Sequence, residues 1–234
     1  MKSPIRKGRC AWNRRDGCST TSGGATISEH AHSPLLSARR LALRRGRACL
    51  FRDLDLTLAP GQLCWLRGQN GSGKTSLLRT LVGLSRPETG GVDHMAVSPV
   101  YIGHGTALKE DLSAHEALHF LARLHGRDHR ADSIDAALQR LQVQQGSRRS
   151  VRTLSQGQRR RVALARLALE DQPALWALDE PFDALDTTGV DVVLQLIREH
   201  LQRKGAVILS SHIPFTLQGI PVMMLDLDAR PAHA

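Results

Sequence analysis

The run Gly68-Gln69-Asn70-Gly71-Ser72-Gly73-Lys74-Thr75 has the spacing of a glycine-rich turn that feeds directly into a helix. Such a turn aims several backbone N–H groups at one point, where Lys74 adds a cation and the Thr75 hydroxyl adds a hard oxygen ligand. With Ser76, these residues form a cradle for a nucleoside triphosphate carrying Mg²⁺. A metal-bound triphosphate needs a carboxylate as well, and Asp179-Glu180 closes an apolar run of strand length at 174–178. Asp179 is the expected Mg²⁺ ligand. Glu180, one residue on, points elsewhere and is the expected general base for an attacking water. A further anion reader is Leu154-Ser155-Gln156-Gly157-Gln158, which opens a strongly helical stretch. The Ser155 hydroxyl, the Gly157 backbone and the positive end of the helix dipole all favour negative charge there. Ser155 also has a plain use as an N-cap that needs no ligand.

The elements that hold these groups are written in hydrophobic periodicity. A short, mostly apolar strand is expected at 62–66 before the turn, and leucines at helical spacing predict a helix over 76–84 after it. Residues 35–58 read as antiparallel edge strands, with Pro60-Gly61 as the turn into the central strand. Further apolar strands are expected at 100–104, 206–209 and 222–225. Residues 106–149 read as helical and charged, 159–169 as helix, and 190–203 as an amphipathic helix through Val190, Val193, Leu194, Ile197 and Leu201. The expected fold class is α/β, a phosphate-loop core with a mostly parallel sheet, an antiparallel β edge subdomain and a helical insert. We assign 34–234 to one such domain, with the helical subdomain at about 106–165, and 1–33 to a basic tail without apolar periodicity that is expected to be disordered.

At 234 residues the chain is long enough for one large core with an insert. The four cysteines, Cys10, Cys18, Cys49 and Cys64, include no CxxC pair, which points to a reducing compartment without a disulfide frame. No apolar run approaches the roughly 18 residues of a membrane span. The net charge of +10 raises a nucleic-acid reading. Its distribution argues against one: Lys2, Arg6, Lys7, Arg9, Arg14 and Arg15 face only Asp16 and Glu29 in the tail, and aromatic residues for base stacking make up only 3% of the chain. Attraction to anionic lipid suits the same charge better. His115-Glu116-Ala117-Leu118-His119 matches HExxH, in which two imidazoles one helical turn apart bind zinc. A second hydrolytic centre in so small a domain would be unusual, so a solvated or partner-facing helix is the expected reading.

Taken in order, these motifs resemble those of ABC-type ATPases. Gly68 to Thr75 is similar to their Walker A, Leu154 to Gln158 to their signature, Leu178-Asp179-Glu180-Pro181 to their Walker B, and Phe182-Asp183-Ala184-Leu185-Asp186 to their D-loop. Ser210-Ser211-His212, after an apolar strand, resembles their switch histidine. The resemblance covers roughly 35–228 and implies a homodimer in which each site is shared. Walker A, Asp179, Glu180 and His212 of one subunit would bind ATP and Mg²⁺, and Ser155 and Gly157 of the other would close over the γ-phosphate. Lys74, His212, Mg²⁺ and the signature helix would then meet the charge on the transferred phosphoryl group.

Two positions depart from the family pattern. Gly105 stands where a glutamine is usual, and a water rather than His104 is the expected replacement, since imidazole is a poor Mg²⁺ ligand beside oxygen donors. The aromatic residue that usually stacks on adenine is replaced near Arg44, Arg45 or Arg47, whose guanidinium planes can stack on a base. Within the family, Tyr101-Ile102-Gly103-His104, the stretch from Ala107 to Leu118, Gly83-Leu84-Ser85-Arg86-Pro87 and the stretch from Arg160 to Arg166 look like the heme exporter ATPases of cytochrome c maturation. That likeness implies integral membrane permease partners and a peripheral position on the cytoplasmic face of the inner membrane. An ABC ATPase for another substrate, a soluble ABC ATPase acting on ribosomes or DNA, and a zinc hydrolase through His115 and His119 are the competing readings.

Overall fold

The computed structural model describes residues 33–94, 98–127 and 129–228, so the expectation of a disordered tail falls almost wholly outside the described residues. Two sheets carry the fold. Strands β1 (Leu36–Arg45), β2 (Ala48–Leu58) and β4 (Thr89–His94) form an antiparallel sheet in the order β2-β1-β4. Strands β3 (Leu63–Arg67), β5 (Val100–Ile102), β6 (Leu175–Asp179), β7 (Ala206–Ser210) and β8 (Val222–Asp226) form a parallel sheet in the order β5-β6-β7-β3-β8. This is the α/β phosphate-loop fold with an antiparallel edge sheet that the sequence predicts.

Alternation along the parallel strands divides them between two cores. Leu63, Trp176, Leu178, Val207 and Leu209 join one cluster with the helices α2 (Ala114–Leu124), α3 (Ala131–Arg140), α4 (Gln156–Ala165) and α5 (Thr187–Gln202). Cys64, Leu66, Leu175, Ala177 and Ile208 join the other, with β1, β2 and α1 (Lys74–Leu81). Because both faces are covered, β6 and β7 are buried at every residue and read as continuous apolar runs, as central parallel strands do. Burial also pushes the Cys64 thiol up to about 12, so it is an inert core residue.

The helix boundaries differ from the predicted ones for local reasons. Helix α1 stops at Leu81 rather than 84, because Gly83 adopts φ +77° and the N–H groups of Gly83 and Leu84 return to the carbonyls of Thr80 and Arg79. Residues 106–113 are not helical; α2 starts at Ala114, where Ser113 and Glu116 form a capping box. The stretch after the signature is α-helical only to Ala165 and tightens to a 3₁₀ turn over Arg166–Leu169, ending where the buried Glu170 carboxylate meets Arg127 at 3.0 Å and Arg166 at 4.0 Å.

His200 on α5 is fully buried and stacks on Trp176 with ring centroids 3.8 Å apart. Its Nε2–H donates to the Ala174 carbonyl at 2.8 Å, while the buried Nδ1 has no partner among the described residues. A proton on Nδ1 would be unpaired there, and burial lowers the pKa from 6.5 to about 4. Since the unfolded chain takes up the proton first, His200's contribution to stability is fully present above pH 6.5 and is lost as pH falls toward 4. The loss is roughly 3 kcal/mol over that window. In urea titrations across this range, His200→Phe, which keeps a ring but cannot titrate, is expected to show a slope shallower by about one proton. An unchanged slope would remove His200 as the cause.

Candidate active site

The C-terminal ends of β3, β6 and β7 lie side by side, with Leu66 opposite Ser210 and Asp179 opposite Ser210 in register. Ligands of open parallel sheets bind at this edge, and here it carries a cavity of about 370 Å³. Asn70, Gly71, Gly73, Lys74, Thr75 and Ser76 line it, together with Asp179, Glu180 and His212. The structure therefore gathers three separately predicted segments around one space.

Each wall has a physical cause. Gly68 sits at φ +145°, and a Cβ there would lie 2.5 Å from the Ser72 hydroxyl, so the loop's first bend requires glycine. The Lys74 ammonium donates to the carbonyls of Gly68 and Gln69 at 2.6 and 3.0 Å, folding the loop over its own side chain. From the far edge of the sheet, Asp228 accepts the Gln69 N–H at 2.7 Å. The buried Ser72 hydroxyl has no hydrogen-bond partner among the described residues. Thr75 Oγ1 donates to Asp179 Oδ2 at 2.7 Å, and Ser210 Oγ donates to Asp179 Oδ1 at 2.8 Å. A hydroxyl and a carboxylate oxygen at contact distance are the hard donors a Mg²⁺ ion takes, so these residues fit the metal.

Glu180 is a non-glycine residue at φ +48°, a conformation that is uncommon outside special sites. Its backbone N–H donates to Ser210 Oγ at 2.9 Å. Its carboxylate accepts the His212 N–H at 3.0 Å and stands 3.3 Å from His212 Nε2. Beneath it lies Arg160, which sequence reasoning missed because an arginine in a basic helix looks like a surface residue. Arg160 is 3% exposed and donates to the carbonyls of Gly103 at 2.8 Å, Asp179 at 2.9 Å and Glu180 at 2.6 Å, with a longer contact to His104 at 3.4 Å.

Arg45 and Leu50 also line the cavity, and Leu50 lies against the phosphate loop, 3.2 Å from where a Cβ on Gly73 would be. Of the three arginines considered for the base, Arg45 is the one that reaches it, whereas Arg44 pairs with Glu88 at 3.5 Å. His104, not Gly105, lines the cavity; Gly105 faces a separate groove.

The signature residues stand apart. Leu154 is buried, Ser155 caps α4 in a reciprocal box with Gln158, and none of 154–158 lines the cavity. A Cβ on Gly157 would come 2.7 Å from the Ala184 carbonyl, so glycine lets the signature helix lie against the segment after Glu180. Asp186 caps α5 by accepting the Gly189 N–H at 2.8 Å and also accepts from Arg161 at 2.5 Å. The Gly189 hydrogen bond, helped by Arg161, holds its carboxyl below the usual range.

The HExxH match is a helix start. Glu116 accepts from the Ser113 N–H and hydroxyl at 2.8 and 2.7 Å, which lowers its pKa, and His115 stands 3.7 Å from Asp135. Among the described residues no group of three or more His, Cys, Asp or Glu is placed to hold a metal ion.

Comparison with known proteins shows the family to which this fold is similar. Residues 51–183 match the family model described as ABC transporter. Over 207 residues, 83% of this chain and 97% of the relative, the sequence is 43% identical to Cytochrome c biogenesis ATP-binding export protein CcmA 2 of Cupriavidus metallidurans. It is 44% identical over 195 residues, 79% of this chain and 94% of the relative, to the CcmA protein of Methylococcus capsulatus. Among solved structures, an ABC transporter ATP-binding protein from Pyrococcus furiosus superposes with a TM-score of 0.70 at 27% identity, covering 83% of this chain and 98% of that one.

Proposed function

The chain belongs to the ABC transporter family, whose ATP-binding subunits hydrolyse ATP to drive transport, and on that premise we propose that it powers heme export in cytochrome c maturation from the cytoplasmic face of the inner membrane. The observation that carries the catalytic part is the meeting of Lys74, the Thr75–Asp179 pair and the Glu180–His212 pair around one cavity. The heme assignment is supported by the identity to the CcmA proteins over nearly their whole length.

ATP lies with its phosphates over the 68–75 loop and its base toward Arg45 and Leu50. The phosphate-loop N–H groups and Lys74 take up the β- and γ-phosphate charge, and the backbone of the loop fixes their position. Thr75 and Asp179 would hold Mg²⁺, which when bound would neutralise charge on the triphosphate. Glu180 accepts a proton from the attacking water, and His212, fixed to Glu180 through its own N–H, faces the transferred phosphoryl group. The signature contributes from a second copy: Ser155 and Gln156 are exposed and do not line their own chain's cavity, which supports a homodimer with two shared sites.

A groove of about 450 Å³ supports docking of a permease. It is lined by the exposed Leu84, Phe120 and Leu124 with Tyr101, Gly103 and Gly105, and Arg160 ties the Gly103 carbonyl to those of Asp179 and Glu180. An apolar helix pressed into this groove would be felt at the catalytic backbone. Among the described residues no helix is long and apolar enough to cross a membrane, which fits a peripheral subunit served by membrane partners.

The shared site is tested by mixing two inactive variants. Ser155→Arg keeps its phosphate loop and loses its signature; Lys74→Ala does the reverse. Each alone is expected to lack ATPase activity, and the mixture to recover part of it through one intact composite site. No recovery in a sample shown to contain mixed dimers would overturn the arrangement. The heme role is tested by deletion: loss of c-type cytochromes, restored by the parent chain and not by Lys74→Ala, supports it, and normal cytochromes rule it out.

A further inference from the structure

The cavity holds a second imidazole–carboxylate pair that the reading above does not use. His104 and Asp183 both line it, with His104 Nδ1 at 3.5 Å from Asp183 Oδ2. The sheet order explains the arrangement. Strand β6, which ends in Asp179 and leads into Glu180, lies between β7 and β5. His212 follows β7 and pairs with Glu180; His104 follows β5 and pairs with Asp183. One imidazole thus reaches the cavity from each side of β6.

Both sides are fastened to β6 by buried groups. Ser210 bridges β7 to Asp179 and to the Glu180 N–H. Arg160 bridges the other side, joining the Gly103 carbonyl of the β5 loop to those of Asp179 and Glu180. The backbone that carries His104 is therefore held in fixed relation to Glu180, although the His104 side chain itself is 70% exposed. A surface histidine would not need its own loop clamped to a catalytic strand. With Nδ1 turned to Asp183, Nε2 is the ring nitrogen left to bond a group in the cavity.

We propose that His104 is a catalytic residue that orients the attacking water through Nε2, and that Asp183 is the positioning residue that sets its ring. This rests on the hydrolytic reading of the cavity. In the step it serves, the water oxygen forms a bond to the γ-phosphorus while the bond from that phosphorus to the β–γ bridging oxygen breaks. ADP leaves with the electron pair, and one water proton passes to Glu180. His104 takes no proton in this step; it holds the water in line, by a hydrogen bond that contributes through positioning.

The test uses the full chain with steady-state ATPase assays and a direct measurement of binding by a fluorescent ATP analogue. His104→Ala is expected to lower kcat by about ten- to a hundredfold while KM and analogue affinity stay within about threefold. His104→Gln, whose amide can still bond a water, is expected to recover most of kcat, and Asp183→Ala to fall between. Because the ring is exposed, melting temperatures are expected to be unchanged. Wild-type kcat in His104→Ala overturns the proposal, as does a loss confined to analogue affinity or a His104→Gln variant no better than alanine. Glu180→Gln, run alongside, separates the two levels: if it is inactive while His104→Ala is normal, only this inference fails, and if it too is normal, the hydrolytic reading fails with it.

Discussion

Glu180→Gln binds ATP as tightly as the parent chain, hydrolyses it at least about a hundredfold more slowly, and accumulates as a nucleotide-bound dimer; that is the expected result. The amide is nearly isosteric with the carboxylate and can still accept the His212 N–H that Glu180 holds at 3.0 Å. What it loses is the basicity needed to take a proton from water. Thr75, Asp179 and the phosphate loop are untouched, so the groups expected to bind nucleotide and metal remain, and the closed dimer has no exit through hydrolysis. Light scattering with and without ATP, beside a phosphate-release assay, checks both halves. Wild-type turnover would remove Glu180 as the base, and slow turnover without dimer accumulation would remove the link between closure and hydrolysis.

Arg160 is the residue whose loss is expected to cost most in stability and activity together. Its guanidinium is buried and spends its N–H groups on carbonyls of two different loops. Burial pushes its pKa down while the charges of Asp183, Asp179 and Glu180 pull it back up, so the group stays a cation among acids. Arg160→Ala strands several buried carbonyls, each at about 1–3 kcal/mol, and leaves nearby carboxylates without their counter-charge. A loss of about 3 kcal/mol or more is expected in urea unfolding. Arg160→Lys is the more informative variant: a point charge on a flexible stem cannot bridge both loops as a planar fork does. It is expected to fold, bind ATP and lose most of its turnover, because the left-handed backbone at Glu180 is held in part by this bridge. If Arg160→Ala unfolds within about 0.5 kcal/mol of the parent, or Arg160→Lys turns over normally, the clamp has no such role.

The two cases differ in what could be read beforehand. Glu180 was legible because a carboxylate at the end of an apolar strand, downstream of a phosphate loop, has few other uses. Arg160 sits among Arg159 and Arg161, and nothing in their spacing separates the inward residue from its neighbours. The same holds for Asp228, which reaches the phosphate loop from 159 residues away, and for Ser210, which ties Asp179 to Glu180 from a neighbouring strand. The helix ends differ from the periodicity by several residues where a cap or a left-handed glycine decides them, as at Ser113 and Gly83.

The departures near Gly105 and Arg45 show where a pattern comparison stops. It marks a glutamine and an aromatic residue as replaced, and leaves open what replaces them. Position in the fold adds only which side chains border the cavity: His104 lines it while Gly105 lines the separate groove, and of the three arginines Arg45 is on the cavity wall. What the sequence by itself determined is the chemistry that contiguous residues perform, because a phosphate cradle is made from consecutive N–H groups and a capped helix end from residues three apart. Only the tertiary structure decided which side chains complete that chemistry. Those contacts form between strands that are neighbours in the sheet and distant in the chain, and no local spacing records them.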